Sequence, residues 1–257
     1  TVKDITGYLG FASGSSGTAI VDGGFAKWIN TSDLHVGYGG AGNLTGQNGG
    51  VVSSGGTWIG SQAGSTGTVT VQGTGSALNN AVSLTVGDAG TGTLNILSGG
   101  KATNGDVGSI GNIAGSTGTV TVDGMGSAWT THDLEVGHGG NGTLNITNGG
   151  LVTSSVGDVI LGGLTSGSGN VTVNGVNSKL TSVGTIQVGL NGTGNLTLSN
   201  GGFVSNAGDS NIGLGPASNG AVTVQGGGSS WNFGGVLTIA QRGTGTLDIL
   251  SGGKVTN

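Results

Sequence analysis

The residues best suited to chemistry in this sequence are two carboxylates, Asp133 and Glu135, which lie two positions apart. Residues at that spacing on a β-strand point to the same face, about 7 Å apart, and glycosidic hydrolysis uses two carboxyl groups about 5–9.5 Å apart. Asp158 and Asp209 form a second pair, at equivalent positions of the repeat described below. Neither pair has a neighbouring Lys or Arg to hold an acidic sugar. We interpret these carboxylates as polar positions on strands and turns, and keep a polysaccharide-degrading lyase or glycosidase as the alternative function.

The histidines offer a second candidate site. His132 adjoins Asp133, and Ser127 lies upstream, so the residue types of a catalytic triad are present. Neighbours on a strand point to opposite faces, and we therefore expect His132 and Asp133 to point apart. His138 occupies a repeat position that accepts very different side chains, which favours an exposed turn: Tyr38, Asp88, Leu190 and Gln241. We predict no catalytic residue and a protein that is not an enzyme.

The glycine-rich, cysteine-free composition restricts the kinds of site that the chain can build. Of the 257 residues, 63 are Gly and none is Cys, so disulfides, thiolate metal sites and thiol catalysis are excluded. The Gly-Gly-x-Gly-x-Asp nonapeptides of calcium-binding β-rolls are absent, as is the Gly-Lys-Ser/Thr ending of a phosphate-binding loop. We predict neither a cofactor nor a metal site.

Charge and hydropathy exclude further partners. The net charge is −5 and the chain has six Lys and Arg residues in all, whereas nucleic acids and anionic lipids recruit clustered basic residues. No apolar run reaches the roughly 18 residues that a membrane-spanning helix needs. We therefore predict no nucleic-acid binding and no membrane insertion of this segment.

Any functional residues must be positioned by a repeat that covers the whole chain. The Gly that opens Gly-Thr-Val-Thr-Val, with weaker copies, recurs at intervals of 50 or 51 residues: Gly17, Gly67, Gly118, Gly169 and Gly220. Each unit divides into halves of 24–27 residues, the length of one coil with three short strands and three turns. We expect residues 1–257 to form a single array and, since the last repeat stops within a coil, to be a fragment of a longer protein.

The strand pattern within each half predicts an all-β solenoid. In Gly67-Thr-Val-Thr-Val, the two Val residues point one way and the two Thr residues the other. No helical pattern joins the strands, so we predict a right-handed parallel β-helix of about ten coils. Stacking would place equivalent apolar residues in interior files, one of them formed by Trp28, Leu78, Trp129, Leu180 and Trp231. Two other predicted files run from Val71 to Ile249 and from Val36 to Ile239.

The outward residues of the Gly-Thr-Val-Thr-Val strands predict a flat polar face. Its candidate association residues are Thr68, Thr70, Thr93, Asn95, Thr119, Thr121, Thr143, Asn145, Thr172 and Thr197. Such a face suits three roles: a solvated surface that resists aggregation, a surface on which rods align through many weak hydrogen bonds, or an ice-binding grid. Ile20, Ala221 and Asp248 interrupt the regularity that an ice-binding β-helix requires.

These motifs resemble those of a known class of surface protein. Gly118-Thr-Val-Thr-Val-Asp-Gly-Met-Gly-Ser-Ala-Trp, followed by Leu134-Glu-Val-Gly and Gly142-Thr-Leu-Asn-Ile-Thr-Asn-Gly-Gly, is similar to the repeat of type V secretion (autotransporter) passengers and PEP-CTERM-associated proteins. The resemblance covers about residues 8–257 in five copies.

The resemblance implies secretion by a Gram-negative bacterium and display outside the outer membrane. It also implies an adhesin, a self-association factor or a biofilm component. From the repeat and the resemblance together we predict a non-catalytic adhesive stalk. Its expected partners are a host surface receptor or glycan, or like molecules on neighbouring cells.

Overall fold

The chain folds into a parallel β-solenoid of 31 strands without a helix, in a computed structural model that describes residues 1–257. Three strands make one coil: coil 1 comprises strands β1–β3, coil 10 comprises β28–β30, and β31 begins an eleventh. Each coil contributes one strand to each of three sheets. The predicted all-β fold of about ten coils is confirmed.

The strands are short in sheets A and B and longer in sheet C. Sheet A contains short strands in the order β1 (Val2–Asp4), β4 (Lys27–Asn30), β7 (Val51–Ser54), β10 (Ala77–Asn80), β13 (Lys101–Asn104), β16 (Ala128–Thr131), β19 (Leu151–Ser154), β22 (Lys179–Ser182), β25 (Phe203–Asn206), β28 (Ser230–Phe233) and β31 (Lys254–Thr256). Sheet B also contains short strands: β2 (Gly7–Leu9), β5 (Leu34–Val36), β8 (Thr57–Ile59), β11 (Leu84–Val86), β14 (Val107–Ile110), β17 (Asp133–Val136), β20 (Val159–Leu161), β23 (Ile186–Val188), β26 (Ser210–Ile212) and β29 (Leu237–Ile239). Sheet C contains strands of seven residues: β3 (Ser16–Asp22), β6 (Ala41–Gln47), β9 (Thr66–Gln72), β12 (Thr91–Leu97), β15 (Thr117–Asp123), β18 (Asn141–Thr147), β21 (Ser168–Asn174), β24 (Thr193–Ser199), β27 (Asn219–Gln225) and β30 (Thr244–Leu250).

The apolar core is a set of vertical files, as the repeat predicts. In sheet A, Val52 pairs with Trp28 on one side and Leu78 on the other, and Trp129 pairs with Ala102 and Val152. Most members of the files are 0–2% exposed. Trp28 packs against the core but is only partly buried. The predicted burial is wrong for Ile239 and Ile249, which are 43% and 49% exposed. Both lie in coil 10, where no further strand of sheet B or C covers them.

A buried polar file runs beside the Trp file, and the sequence reading did not single it out. Its members are 0–7% exposed: Asn30, Ser54, Asn80, Asn104, Thr131, Ser154, Ser182 and Asn206. The indole N–H of Trp129 donates to Oδ1 of Asn104, 2.8 Å away and one coil earlier. Trp231 bonds Asn206 in the same way, at 3.1 Å. The file therefore satisfies the polar atoms of the buried Trp residues.

The turns between sheets C and A alternate in length, which explains why the sequence repeats over two coils. In one class, two residues with positive φ make a tight turn, as at Asn148 (φ 52°) and Gly149 (φ 89°). Asn-Gly is a favoured pair for such turns, because both positions need a left-handed backbone. In the other class the chain projects further, and Met125 there is 77% exposed.

Candidate functional site

The outer face of sheet C carries the predicted association residues in two straight files. One aligns Thr68, Thr93, Thr119 and Thr143. The other aligns Thr70, Asn95, Thr121, Asn145, Thr172 and Thr197. All ten are half-buried, and successive members lie one strand spacing apart, about 4.8 Å. The structure thus brings all ten onto the outer side of one sheet, which we call the sheet C face.

Few polar groups on the sheet C face are used within the protein. In the two files the single side chain to side chain hydrogen bond joins Asn195 Nδ2 to Asn170 Oδ1, at 2.8 Å. The other hydroxyl and amide groups are free to bond water or a second surface. Ile20, Ala221 and Asp248 occupy these files as predicted, and Ile20 is 64% exposed.

Side-chain ladders occupy the corner where sheet C ends. Gln47 donates to Asp22 at 3.1 Å and Gln72 donates to Gln47 at 2.9 Å, each across one coil. Hydrogen bonds from Asn48 and Gln47 lower the pKa of Asp22. The hydrogen bonds between Asp22, Gln47 and Gln72 form a ladder along the rod, so these three residues have a structural role.

The acidic and histidine residues of coil 6 form two close pairs. His132 Nδ1 lies 2.8 Å from Asp133 Oδ2, and His138 Nδ1 lies 2.9 Å from Glu135 Oε2. The expectation that His132 and Asp133 point apart is wrong. His132 lies in the turn between β16 and β17 and not on a strand, so the alternation rule does not apply to it.

Ser127 does not join this group. Its hydroxyl donates to the carbonyl oxygen of Asp123 at 2.6 Å and accepts the backbone N–H of Gly99 at 2.9 Å. Both partners are at the corner between sheets C and A. The residue types of a triad are therefore present without its geometry.

Carboxylates at the A–B corner bond the backbone of the next coil. Asp133 Oδ1 accepts the N–H of Asp158, and Asp158 Oδ1 accepts that of Thr185, both at 2.8 Å. Asp209 Oδ1 accepts the N–H of Val236 at 2.8 Å. Polar side chains at turns are expected to form such bonds. Each bond occupies one oxygen of its carboxylate.

Glu135 is the acidic side chain in this region with a perturbed proton affinity. Burial raises its pKa and the neighbouring Asp133 raises it further, while His138 acts in the opposite direction. The His138 side chain is 33% exposed, so its repeat position is half-buried and not the exposed turn that we expected. Its raised pKa means that Glu135 keeps its proton to a higher pH than an ordinary glutamate does.

An aromatic cluster covers the outer side of sheet B in coils 1–3. His35 stacks between Tyr8 and Trp58, with ring centroids 5.0 and 5.3 Å apart. Phe11 and Tyr38 form a second stack at 5.3 Å. Sequence reasoning missed this cluster, although the alignment of repeats places Tyr8, His35 and Trp58 in one file. Burial lowers the pKa of His35, and the carboxylates of Asp33 and Asp88 partly offset that effect.

No three side chains of His, Asp or Glu converge in the way that metal ligands do. No segment forms a helix with the length and apolarity needed to cross a membrane.

Comparison with known proteins adds no relative. The chain matches no protein-family model, no curated protein and no solved structure at a significant level of similarity.

Proposed function

We propose that this chain is a non-catalytic rod that acts at a bacterial cell surface, as an adhesive or self-associating stalk secreted beyond the outer membrane. The observation that carries the proposal is the sheet C face. It extends over ten hydrogen-bonded parallel strands, and nearly all the hydroxyl and amide groups in its two files lack partners within the protein. The resemblance of the repeat to autotransporter passengers supports the location.

The sheet C face suits side-by-side alignment of two rods. A neutral hydrogen bond contributes only about 0.5–1.5 kcal/mol, so one coil would hold a partner weakly. A series of such bonds in fixed register gives a strong contact that still reverses. Two rods would then associate in proportion to the number of coils that overlap.

The test is a pair of charge substitutions on neighbouring strands, Thr121→Lys with Asn145→Lys. We expect self-association, measured by sedimentation and by aggregation of cells that display the protein, to be lost because like charges then face each other. Gln187→Lys with Asn211→Lys is the matched control, since these residues also pair across neighbouring strands but on sheet B. If the first variant associates as the wild type does, the sheet C face is not the contact surface.

A polysaccharide-degrading enzyme is the second candidate, and the raised pKa of Glu135 beside Asp133 favours it. A carboxyl group with a raised pKa, two residues from a second carboxyl group on the same strand, resembles the acid and its partner in a glycosidase. Turnover of any member of a panel of acidic glycans, abolished by Glu135→Ala, would replace the structural proposal by this one.

A further inference from the structure

All five lysines of the chain lie on the outer face of sheet A. Lys3 belongs to β1, and the other four occupy a single file on strands that are three coils apart: Lys27, Lys101, Lys179 and Lys254. Three coils correspond to about 14 Å, so the four ammonium groups cover roughly 43 Å of the rod. All are exposed. We call this row the lysine file.

No carboxylate shares the outer face of sheet A. Its other outward positions are Val, Ala, Leu, Phe, Ile, Ser, Thr or Asn, while Asp4 of β1 points inward to the indole of Trp28. No lysine lies in a salt bridge, because both close ion pairs of the protein involve His. Eleven carboxylates outnumber the six Lys and Arg residues and give the chain a net charge of −5. The lysine file is therefore a row of positive side chains on an acidic protein.

Carboxylates lie at both edges of sheet A, including the exposed Asp106 five residues after Lys101, and none of them forms a salt bridge with a lysine. Asp22 and Asp123 end strands of sheet C at the adjoining corner. Asp22 accepts bonds from Gln47 and Asn48, and Asp123 accepts bonds from Thr147 and Asn148. Charges farther around the rod are screened over a Debye length of about 8 Å at physiological salt. No lysine of the file is therefore neutralised by a direct ion pair.

Grooves beside the lysine file give a ligand a place to lie. The longer C–A turns at 73–76, 124–127 and 175–178 stand out as ridges, and the tight turns between them form two adjoining grooves of about 450 and 340 Å³. Lys101 lines both grooves and Lys179 lines the second. Met125 and Leu151 supply apolar walls.

A row of hydroxyl groups runs parallel to the lysine file, two residues further along each strand. In the central coils its members are Thr103, Thr130, Thr153 and Thr181. Thr103 and Thr130 are exposed, and Thr153 and Thr181 are partly exposed. Thr103 donates to Asn79 and Thr181 donates to Thr153, each at 3.1 Å. A ligand that contacts the lysines therefore also meets a row of hydroxyl acceptors, with the hydroxyl protons of Thr130 and Thr153 free to donate.

We propose that the outer face of sheet A binds a linear acidic polysaccharide along the rod. Carboxylates of the polymer pair with the lysine file, above all with Lys101 and Lys179, and its hydroxyl groups bond the threonine row. Each contact is weak alone, and their repetition along one stiff surface provides affinity. This inference supplies a ligand class for the proposed adhesive function and rests on that function for its biological role.

The sparse charge of the lysine file favours this polymer over nucleic acid. Duplex DNA carries one charge per about 1.7 Å of its axis, whereas the lysine file offers one charge per about 14 Å. A polysaccharide with one acid group per sugar or per few sugars matches the lysine file more closely. Its hydroxyl groups also use the threonine row.

The experiment measures binding of the 257-residue chain to soluble polygalacturonate, with neutral amylose and duplex DNA as comparison polymers. The test variant is Lys101→Gln with Lys179→Gln. The control is Arg242→Gln with Gln241→Glu, which lowers the net charge by the same two units in the turn between β29 and β30, outside sheet A. A third variant, Lys101→Arg with Lys179→Arg, keeps the charge. Because all these side chains are exposed, equal unfolding midpoints will show that the variants fold alike.

We expect polygalacturonate to bind and amylose not to bind. The test variant should lose about five- to thirtyfold in affinity and the control less than twofold, as two lost exposed ion pairs predict. The arginine variant should bind like the wild type. No binding by the wild type, equal loss in test and control, or tighter binding of DNA at the same salt would each overturn the inference. Self-association through the sheet C face is measured on the same variants and should be unchanged, so failure here is distinguishable from failure of the proposed function.

Discussion

The indole Nε1 of Trp129 lies 2.8 Å from Oδ1 of Asn104, which belongs to the coil before it. Trp129 is 0% and Asn104 6% exposed, so neither group can turn to water instead. Trp231 with Asn206 and Trp28 with Asp4 repeat the relationship at 3.1 Å. A buried Trp in this solenoid is thus tied to a polar side chain one coil earlier.

Replacing Asn104 by Leu should lower the free energy of unfolding by about 1–3 kcal/mol, since the buried indole N–H loses its acceptor. Urea unfolding measures the loss. Asn95→Ala, on the outer face of sheet C, is the control and should change stability by less than about 0.5 kcal/mol. In a Trp129→Phe background the cost of Asn104→Leu should be smaller, because no indole N–H remains. An equal cost in both backgrounds would contradict the role of this bond.

Gly108 and Trp129 are matched in size across neighbouring coils. A Cβ atom at Gly108 would lie 2.5 Å from the indole of Trp129. We expect Gly108→Val to cost about 1–3 kcal/mol or more by overpacking. Adding Trp129→Leu should recover much of that loss, because Val159 and Leu180 already occupy the equivalent positions in coils 7 and 8. A double-mutant cycle from urea unfolding tests the coupling. Additive costs would show that the two positions are independent.

His35 should make stability depend on pH. Burial lowers its pKa below the ordinary 6.5, so the unfolded chain binds a proton more readily than the folded one. Stability is therefore full above pH 6.5 and falls as the pH drops through 6.5 toward the lowered value. His35→Phe keeps a ring between Tyr8 and Trp58 and removes this proton. The difference in unfolding free energy between the two proteins, measured from pH 8 to 5, should shift in favour of the variant at low pH. Parallel curves would refute the expectation.

Ser98 occupies a left-handed position in one of the tight turns, with φ of 53°. Asn tolerates that conformation better than Ser does, and it stands at the equivalent positions Asn48, Asn148 and Asn200. Ser98→Asn should therefore stabilise the protein by about 0.5 kcal/mol. Ser98→Val should destabilise it, since a β-branched residue is strained there. Thermal unfolding of both variants is the measurement, and a reversed order would count against the turn assignment.

The solenoid could be predicted because two constraints act on every coil. Alternation along each strand decides which side chains face inward, and the repeat decides which of them stack. Together these place Val122 and Trp129 correctly in the core. The same alternation puts Asn104 inside, two residues after Ala102, but an Asn is read from sequence as a surface residue. The buried polar file was therefore missed although its signal was present.

Contacts made by turn residues could not be predicted in this way. His132 reaches Asp133 because the turn between β16 and β17 rotates its side chain out of the alternating pattern. Phe11 and Tyr38 stack from turns that follow sheet B. The lysine file is a different case: the spacings between its members are regular, but they become visible only once residues are assigned to coils.

The match between Trp129 and Gly108 limits how such a rod can change its length during evolution. A recombination joint that falls between coils 5 and 6 separates the large ring from the small residue beneath it. A residue larger than Gly next to Trp129 would clash with the ring. A residue smaller than Trp next to Gly108 would leave a void. Joints that leave this pair together can add or remove double coils freely, so viable length variants should inherit the two residues as one block.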